Sequence, residues 1–267
     1  MIVYSSFQLA RKFLRYYLKA LNGKGHGMHS PFVFDFILNV LNNKKGYSIP
    51  SEVEHLRKKL LHDQRVIELK DLGAGSRTTG SLQRKVGNLA DAALKPPRYG
   101  QLLYRLAKHY QPKKIVELGT SLGITTAYFS KAVPDGRIIT IEGSEAIAEI
   151  AKSNFNILGC TNIELLRENF DSVLPPVLNR FSTVDLAFID GNHRYEPTIN
   201  YFQQFLKASD NDTILVFDDI HWSEEMERAW KEIQSHPSVR GTVDIFFLGF
   251  VFFRIEFRTQ QHFKIRF

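Results

Sequence analysis

The stretch IVELGTSLGITTAYF, Ile115 to Phe129, decides the fold. A short apolar run ends in a turn that contains two glycines, Gly119 and Gly123, and a helical pattern follows. Glu117 lies beside this turn, at the end of the run. Turns of this kind usually hold phosphate, whose charge repels a carboxylate. The stretch therefore predicts a strand, a glycine turn and a helix, with a ligand that tolerates a nearby acid.

Short apolar runs and helical patterns alternate from Pro97 onward. Five of the runs predict strands: KKIVELG, GRIITIEG, NIELLREN, VDLAFIDG and DTILVFDD. A helical pattern follows each of them except NIELLREN. Two more, GTVDIFFLGFVFFRIE and HFKIRF, have no helix between them. The pattern predicts an α/β fold of the Rossmann-like type, doubly wound around a mostly parallel seven-stranded sheet with an antiparallel C-terminal hairpin. Ligands of such sheets bind beyond the carboxyl ends of the strands.

Residues 1–94 differ from residues 95–267, because they alternate helical patches with polar turns. We predict a helical N-terminal extension before a catalytic domain over 95–267. The first helix carries basic residues around an apolar face that we expect to dock on the body of the protein, namely Phe7, Ala10, Leu14, Tyr17, Leu18 and Leu21. The alternative is that this helix attaches to an anionic membrane surface.

Two loop segments of the extension offer weaker signals. VIELKDLGAGSRTTGS shows Gly73 and Gly75 after a short run, but polar sequence without a strand follows as far as Lys114, so we interpret it as a connecting loop. His26 and His29 are interpreted as ordinary loop residues, with a substrate or metal contact as the alternative.

Bulk composition narrows the class of protein. The chain has 267 residues, a net charge of +7 and one cysteine, Cys160, which excludes an internal disulfide. No apolar run is long enough to span a bilayer, and the N-terminus lacks the pattern of a secretory signal, so we expect a cytoplasmic protein. The basic charge is compatible with an acidic partner, but no nucleic-acid module is recognisable, and nucleic acid is not expected as a partner.

The glycine turn excludes two common ligands. A nucleoside triphosphate site needs a lysine after the last glycine, and GTSLGITT has none there. A dinucleotide site prefers the spacing G-x-G-x-x-G, whereas Gly119 and Gly123 stand four residues apart. A ligand with a cationic amino group and a sulfonium, such as S-adenosylmethionine, would gain from Glu117.

The turn resembles that of the class I S-adenosylmethionine-dependent methyltransferases, whose first strand ends in E-x-G-x-x-x-G. Glu142, at the end of the next strand, corresponds to the acid that binds the ribose hydroxyls in that family, and Asn169 and Phe170 follow the third strand beside the adenine. The resemblance implies a cofactor site formed by Glu117, Gly119, Thr120, Ser121, Gly123, Glu142, Gly143, Asn169, Phe170 and Asp190.

Three carboxylates follow the fourth and fifth strands: Asp190 in FIDGNHRYEP, and Asp218 and Asp219 in VFDDIHWSEE. Crowded like charges favour a cation between them. The arrangement resembles the metal-dependent O-methyltransferases of the catechol, caffeoyl-CoA and macrocin types. That resemblance implies that Asp190, Asp218 and Asp219 bind Mg²⁺ or another divalent cation, and that His193 is the general base beside Asp190. His221 is a second candidate base or metal neighbour.

The expected function is transfer of a methyl group to a hydroxyl of a small molecule. One alternative is a metal-independent methyltransferase that acts on RNA, protein or a nitrogen centre. The other is a non-catalytic protein that keeps the fold and binds the cofactor. The N-terminal extension is expected to act as a lid, to bind substrate or to form a homodimer.

Overall fold

Helices and strands alternate along the computed structural model, which describes residues 3–24, 30–44, 46–69 and 82–267. The described helices are α1 (Ser6–Lys19), α2 (Pro31–Asp35), α3 (Ser51–Leu61), α4 (Val86–Ala93), α5 (Pro97–Tyr110), α6 (Ile124–Ala132), α7 (Glu145–Ile157), α8 (Phe170–Phe181), α9 (Tyr195–Lys207) and α10 (Glu224–Ser235). The described strands are β1 (Val66–Leu69), β2 (Leu82–Lys85), β3 (Lys114–Leu118), β4 (Arg137–Ile141), β5 (Ile163–Leu166), β6 (Leu186–Ile189), β7 (Ile214–Asp218), β8 (Gly241–Asp244), β9 (Leu248–Phe252) and β10 (Gln261–Lys264). Helix α2 continues into a π-helical turn over Phe36–Leu41. The loop candidates His26, His29, Gly73 and Gly75 lie outside the described residues.

Strands β3 to β10 form a mostly parallel sheet, which confirms the predicted Rossmann-like α/β fold. The sheet has eight strands where the sequence predicted seven. The run GTVDIFFLGFVFF contains two of them, the antiparallel hairpin β8–β9, and β10 runs parallel to β8. The hairpin turn escaped prediction because its residues 245–247 are Ile, Phe and Phe, and none of them is a usual turn residue.

One compact unit comprises Met1–Asn42, Lys114–Val116 and Leu174–Phe267. In it the strand order is β10-β8-β9-β7-β6, followed by the first residues of β3. All residues of β6, β7 and β9 are buried, since helices cover a parallel sheet on both faces. Strands β6 and β7 are paired in parallel, and Ile189 is opposite Phe217 at their carboxyl ends.

Helix α1 belongs to this unit, and it docks through a different face from the one predicted. Tyr16 and Ala20 are buried against Phe246, with Leu9 and Phe13 packed beside them. The Tyr16 hydroxyl lies 2.7 Å from the carbonyl oxygen of Asp244 and 2.6 Å from that of Ile265. The apolar residues that the sequence placed inside are exposed, namely Phe7, Ala10, Leu14, Tyr17, Leu18 and Leu21. The helix therefore has two apolar faces, and only one of them is covered within the described residues.

The second compact unit comprises Asn43–Lys113 and Glu117–Val173. In it β4 lies between the end of β3 and β5, and it pairs with β5 in parallel. Strands β1 and β2 form a separate antiparallel pair, and β2 shows that the expectation of no strand between the Val66–Ser81 segment and Lys114 was wrong. The polar side chains of LQRK gave no strand pattern.

Helix α8 also escaped prediction, because it contains Pro175 and Pro176, which ordinarily break a helix. The two units do not follow the predicted boundary at residues 94 and 95, and a separate function for residues 1–94 stays a prediction. None of the helices in the described ranges is long and apolar enough to cross a membrane.

Candidate functional site

The turn after β3 adopts a conformation that suits glycine. Gly119 and Gly123 have φ angles of 95° and 79°. Both are in the left-handed region, which side chains disfavour. A Cβ atom on Gly123 would also lie 2.5 Å from Cε1 of Phe155. The N–H groups of Gly119 and Thr120 donate to the carbonyl oxygen of Ile141 at 3.0 and 3.1 Å, which ties the turn to the end of β4.

Glu142, the acid that follows β4, is hydrogen-bonded to the glycine turn. The backbone N–H of Ser121 donates to Oε2 of Glu142 at 2.9 Å, and the N–H of Ser144 donates to Oε1 at 2.9 Å. Ser121 has a φ of 49°, which is uncommon for a residue with a side chain. Glu142 remains partly exposed. A carboxylate fixed in this way keeps further lone pairs for the hydroxyls of a ligand.

Glu117 is fully buried beneath the turn, at 0% exposure. Its Oε2 accepts hydrogen bonds from the hydroxyls of Thr126 and Thr140, the second at 2.7 Å. The Thr140 hydroxyl is also 2.6 Å from that of Thr120. Thr120 was a predicted site residue, but Thr126 and Thr140 were not, although Thr140 is the one polar residue within the apolar part of RIITI. The observed contacts support the turn from below, and contact of Glu117 with a ligand stays a prediction.

The residues predicted beside adenine begin helix α8. Oδ1 of Asn169 accepts from the N–H of Asp171 at 2.8 Å, and its carbonyl oxygen accepts from Val173. Asn169 therefore caps the helix, which leaves its side-chain NH₂ as the group suited to pairing with a base. Phe170 and Gly143 are partly buried at this end of the unit. Their contact with a cofactor stays a prediction.

Asp190 and Asp218 directly follow the opposed residues Ile189 and Phe217 of β6 and β7. Neighbouring strands lie about 4.8 Å apart, so the two aspartates are lateral neighbours in the sheet. Asp218 is buried, at 3% exposure, whereas the Asp190 side chain is 31% exposed. Asp219 follows with a φ of 51°, and its N–H donates to the carbonyl oxygen of Phe247 at 2.8 Å.

His193 lies beside Asp190, with Nε2 3.3 Å from Oδ1 of the aspartate. Asn192 and His193 have φ angles of 63° and 36°. Consecutive side-chain-bearing residues in the left-handed region cost roughly 1–3 kcal/mol each, and such strain concentrates at functional sites. The β6–α9 loop thus holds the predicted base against its predicted partner in a conformation that the backbone disfavours.

The predicted metal ligands have suitable chemistry, but their side chains do not form a metal site in the described residues. Carboxylate oxygens are the ligands that Mg²⁺ prefers. In the part of the chain that the structure describes, no group of three or more His, Cys, Asp or Glu side chains is placed to hold a metal ion. The structure therefore brings Asp190 together with His193 and does not gather Asp190, Asp218 and Asp219 around one point.

His221 has both ring nitrogens beside carboxylate oxygens, an environment that suits a structural role better than that of a base. Its Nε2 is 2.9 Å from Oδ2 of Asp244 and its Nδ1 is 3.1 Å from Oε1 of Glu227. Burial acts to lower the pKa of His221, but these two hydrogen bonds outweigh it, and the pKa is raised above 6.5. Glu227 also accepts hydrogen bonds from Lys12 and Tyr4 of the N-terminal region. Burial acts to raise the pKa of Glu227, but the hydrogen bonds with His221, Lys12 and Tyr4 outweigh it and bring the pKa down to about 2. When both nitrogens donate to these carboxylates, neither is left to take a proton from a substrate.

Comparison with known proteins decides the class of the site. Residues 116–220 match the family profile described as a methyltransferase domain. This segment is therefore similar to methyltransferase domains. The matched segment includes the glycine turn, Glu142, Asp190, His193 and the two aspartates after β7. The predicted resemblance to class I S-adenosylmethionine-dependent methyltransferases is thereby confirmed.

The chain is also similar to individual proteins. Over 127 residues the chain is 32% identical to a catechol O-methyltransferase of Niastella koreensis, an alignment that covers 46% of this chain and 57% of that protein. The chain spans little more than half the length of the catechol O-methyltransferases that it matches.

Two solved structures resemble this one. The first is the O-methyltransferase TomG of Streptomyces achromogenes, in complex with S-adenosylmethionine, at 25% identity and a TM-score of 0.53, over 62% of this chain and 84% of that one. The second is an O-methyltransferase of Bacillus cereus with S-adenosylhomocysteine, at 20% identity and a TM-score of 0.58, over 83% and 97%. The second likeness shows the fold alone.

Proposed function

We propose that the protein is an S-adenosylmethionine-dependent O-methyltransferase that acts on a hydroxyl of a small molecule with the help of a divalent cation. The observation that carries the cofactor part is the bond between Ser121 and Glu142, which joins the glycine turn to the acid after β4. The similarity to O-methyltransferases supports the reaction type.

The cofactor part of the proposal follows from the turn. The left-handed glycines leave the backbone of residues 119–123 without side chains at two positions, so a ligand can approach it closely. Glu142 would accept hydrogen bonds from the ribose hydroxyls, and each bond to a charged acceptor contributes about 1.5–3 kcal/mol. The side-chain NH₂ of Asn169 would donate to the adenine.

The proton-transfer part rests on His193 and Asp190. If Nε2 of His193 donates its hydrogen to Oδ1 of Asp190, the proton is fixed on that nitrogen and Nδ1 is the acceptor. Nδ1 would then take the proton of the acceptor hydroxyl as its oxygen attacks the methyl group. Asp190 would orient the ring and stabilise the imidazolium that forms.

The residues that would hold a divalent cation are Asp190, Asp218 and Asp219. Their donor chemistry fits a hard cation, and the strand register makes the first two neighbours. When bound, such an ion would lower the pKa of the acceptor hydroxyl.

Two measurements test the proposal. Calorimetry with S-adenosylhomocysteine should show binding to the wild-type protein and to His193→Gln, a variant without the proposed base. Transfer of a labelled methyl group from S-adenosylmethionine to a panel of phenols, catechols and sugars should be lost in Asp190→Asn and kept in Asp135→Asn, an exposed aspartate outside the site. Absence of S-adenosylhomocysteine binding to the wild-type protein would reject the cofactor assignment.

A second candidate is O-methyl transfer without a metal. The contact between Nε2 of His193 and Oδ1 of Asp190 favours it, because this pair can remove a proton by itself. Calorimetry with Mg²⁺ and Mn²⁺ separates the two candidates. Cation binding that Asp218→Asn weakens supports metal assistance, whereas methyl transfer that persists in EDTA supports the metal-independent reaction.

A further inference from the structure

Helix α1 presents an apolar face to the surroundings. Successive residues of a helix are turned by about 100°, so Phe7, Leu14 and Leu18 lie within one narrow sector. They are 78%, 59% and 70% exposed, and Tyr17 continues the same sector at 44%. Leu21, which follows the C-cap Ala20, adds a further apolar side chain at 45% exposure. We call these five residues the α1 apolar face. Large side chains exposed together on one helix mark a binding surface more often than scattered ones do.

A basic sector lies beside the α1 apolar face. Arg11, Arg15 and Lys19 are exposed, and none of them forms an ion pair within the described parts of the chain. Residues 1–34 contain five lysines and arginines and no aspartate or glutamate, so this segment accounts for most of the net charge of +7. An apolar sector flanked by unpaired basic side chains is complementary to a surface that is apolar inside and anionic at its border.

The helix is fixed in the orientation that exposes this face. At its start, Ser5 and Gln8 form a capping box, and Lys12 binds Glu227 at 2.8 Å. At its end, the N–H of Leu21 donates to the carbonyl oxygen of Lys264 at 2.7 Å. On the opposite side, Tyr16 is buried. The α1 apolar face therefore cannot turn inward without breaking buried contacts.

We propose that the α1 apolar face binds the surface of an anionic lipid bilayer, with the helix lying in the plane of the headgroups. Phe7, Leu14 and Leu18 would enter the boundary between headgroups and acyl chains, and Arg11 and Arg15 would contact lipid phosphates. A second copy of the chain is a poorer occupant. In a two-fold symmetric pair the helix meets itself, and the basic sectors of both copies would lie together without an acidic residue on the helix to neutralise them.

Vesicle sedimentation with the full chain tests this. The protein should sediment with vesicles of phosphatidylcholine and phosphatidylglycerol, mixed at roughly three to one, and should sediment much less with phosphatidylcholine alone. Arg11→Gln combined with Arg15→Gln should weaken partitioning about 30-fold, since each basic residue near the surface contributes about fivefold. Leu14→Gln combined with Leu18→Gln should weaken it about tenfold or more.

Matched controls replace exposed residues away from the helix. Ile157→Gln combined with Ile255→Gln removes two apolar side chains that are 64% and 75% exposed, and Lys152→Gln combined with Lys207→Gln removes two exposed charges. Both controls should bind vesicles like the wild type, and thermal unfolding should be similar in all variants. Equal binding to both kinds of vesicle, or none to either, overturns the proposal. A dimer that Leu14→Gln and Leu18→Gln dissociate, without vesicle binding by the wild type, assigns the face to a second copy instead.

Discussion

Replacing Glu142 by Gln tests whether this carboxylate joins the glycine turn to the cofactor. The glutamate uses one oxygen for the N–H of Ser121 and the other for the N–H of Ser144, each at 2.9 Å. Glutamine keeps one oxygen and turns an NH₂ group toward the other N–H, so at least one bond to a charged acceptor is lost. Such a bond contributes about 1.5–3 kcal/mol.

The same substitution affects the ligand. It removes the charge that strengthens bonds from the ribose hydroxyls, and a loss of about 1.5–3 kcal/mol corresponds to roughly 10- to 150-fold weaker binding of S-adenosylhomocysteine. Calorimetry measures the affinity, and urea unfolding measures the stability. Glu145→Gln, an exposed acid at the start of α7, is the control for charge and should change neither by much. If Glu142→Gln lost stability but bound the ligand within twofold of the wild type, Glu142 would be a structural residue only.

Three further predictions concern stability. Gly123→Ala should lower the free energy of unfolding in urea by about 2–4 kcal/mol, because it adds a strained φ and a clash with Phe155. The control Gly159→Ala, with a φ of 63° and nothing within 4 Å of its Cβ, should show the strain alone. Equal losses in the two variants would refute the clash. Thr140→Val should cost about 1.5–3 kcal/mol by removing a donor from buried Glu117, and a loss below the error of the urea measurement would mean that the bond does not matter. The cluster of His221 and Glu227 should stabilise the folded protein most between about pH 4.5 and 6.5. Because the pKa of His221 is raised, its contribution is full below pH 6.5 and is lost as the pH rises through the raised value. Because the pKa of Glu227 is lowered, its contribution is full above pH 4.5 and is lost as the pH falls toward 2. His221→Gln should flatten this profile, as measured by urea unfolding from acid to alkaline pH, and an unchanged profile would count against the cluster.

The sequence predicted the strands that are apolar throughout and end in a functional residue. IVELG and ITIEG were recognised because buried parallel strands have continuous apolar runs. Glu117 and Glu142 were selected because ligands of such sheets bind near the carboxyl ends of the strands. The bond between Ser121 and Glu142 agrees with that prediction, because both residues had been assigned to one ligand.

Other features depend on tertiary contacts that no local pattern contains. The periodicity of α1 selected Leu14 and Leu18, yet the docked face is set by the Tyr16 hydroxyl, which binds two backbone carbonyls more than 200 residues away. His221 was a candidate base in sequence, but Asp244, 23 residues later, is what fixes its charge. The proposed metal ligands stay a prediction, since adjacent strands bring backbones together without determining how their side chains turn.

The hydrogen bond between Ser121 and Glu142 has a consequence for how tightly a nucleoside binds. Since backbone amides already orient the carboxylate, little rotational freedom remains to be lost when the ribose arrives, and this entropic saving favours affinity. This part of the site is preformed, so a nucleoside should bind there with little conformational change.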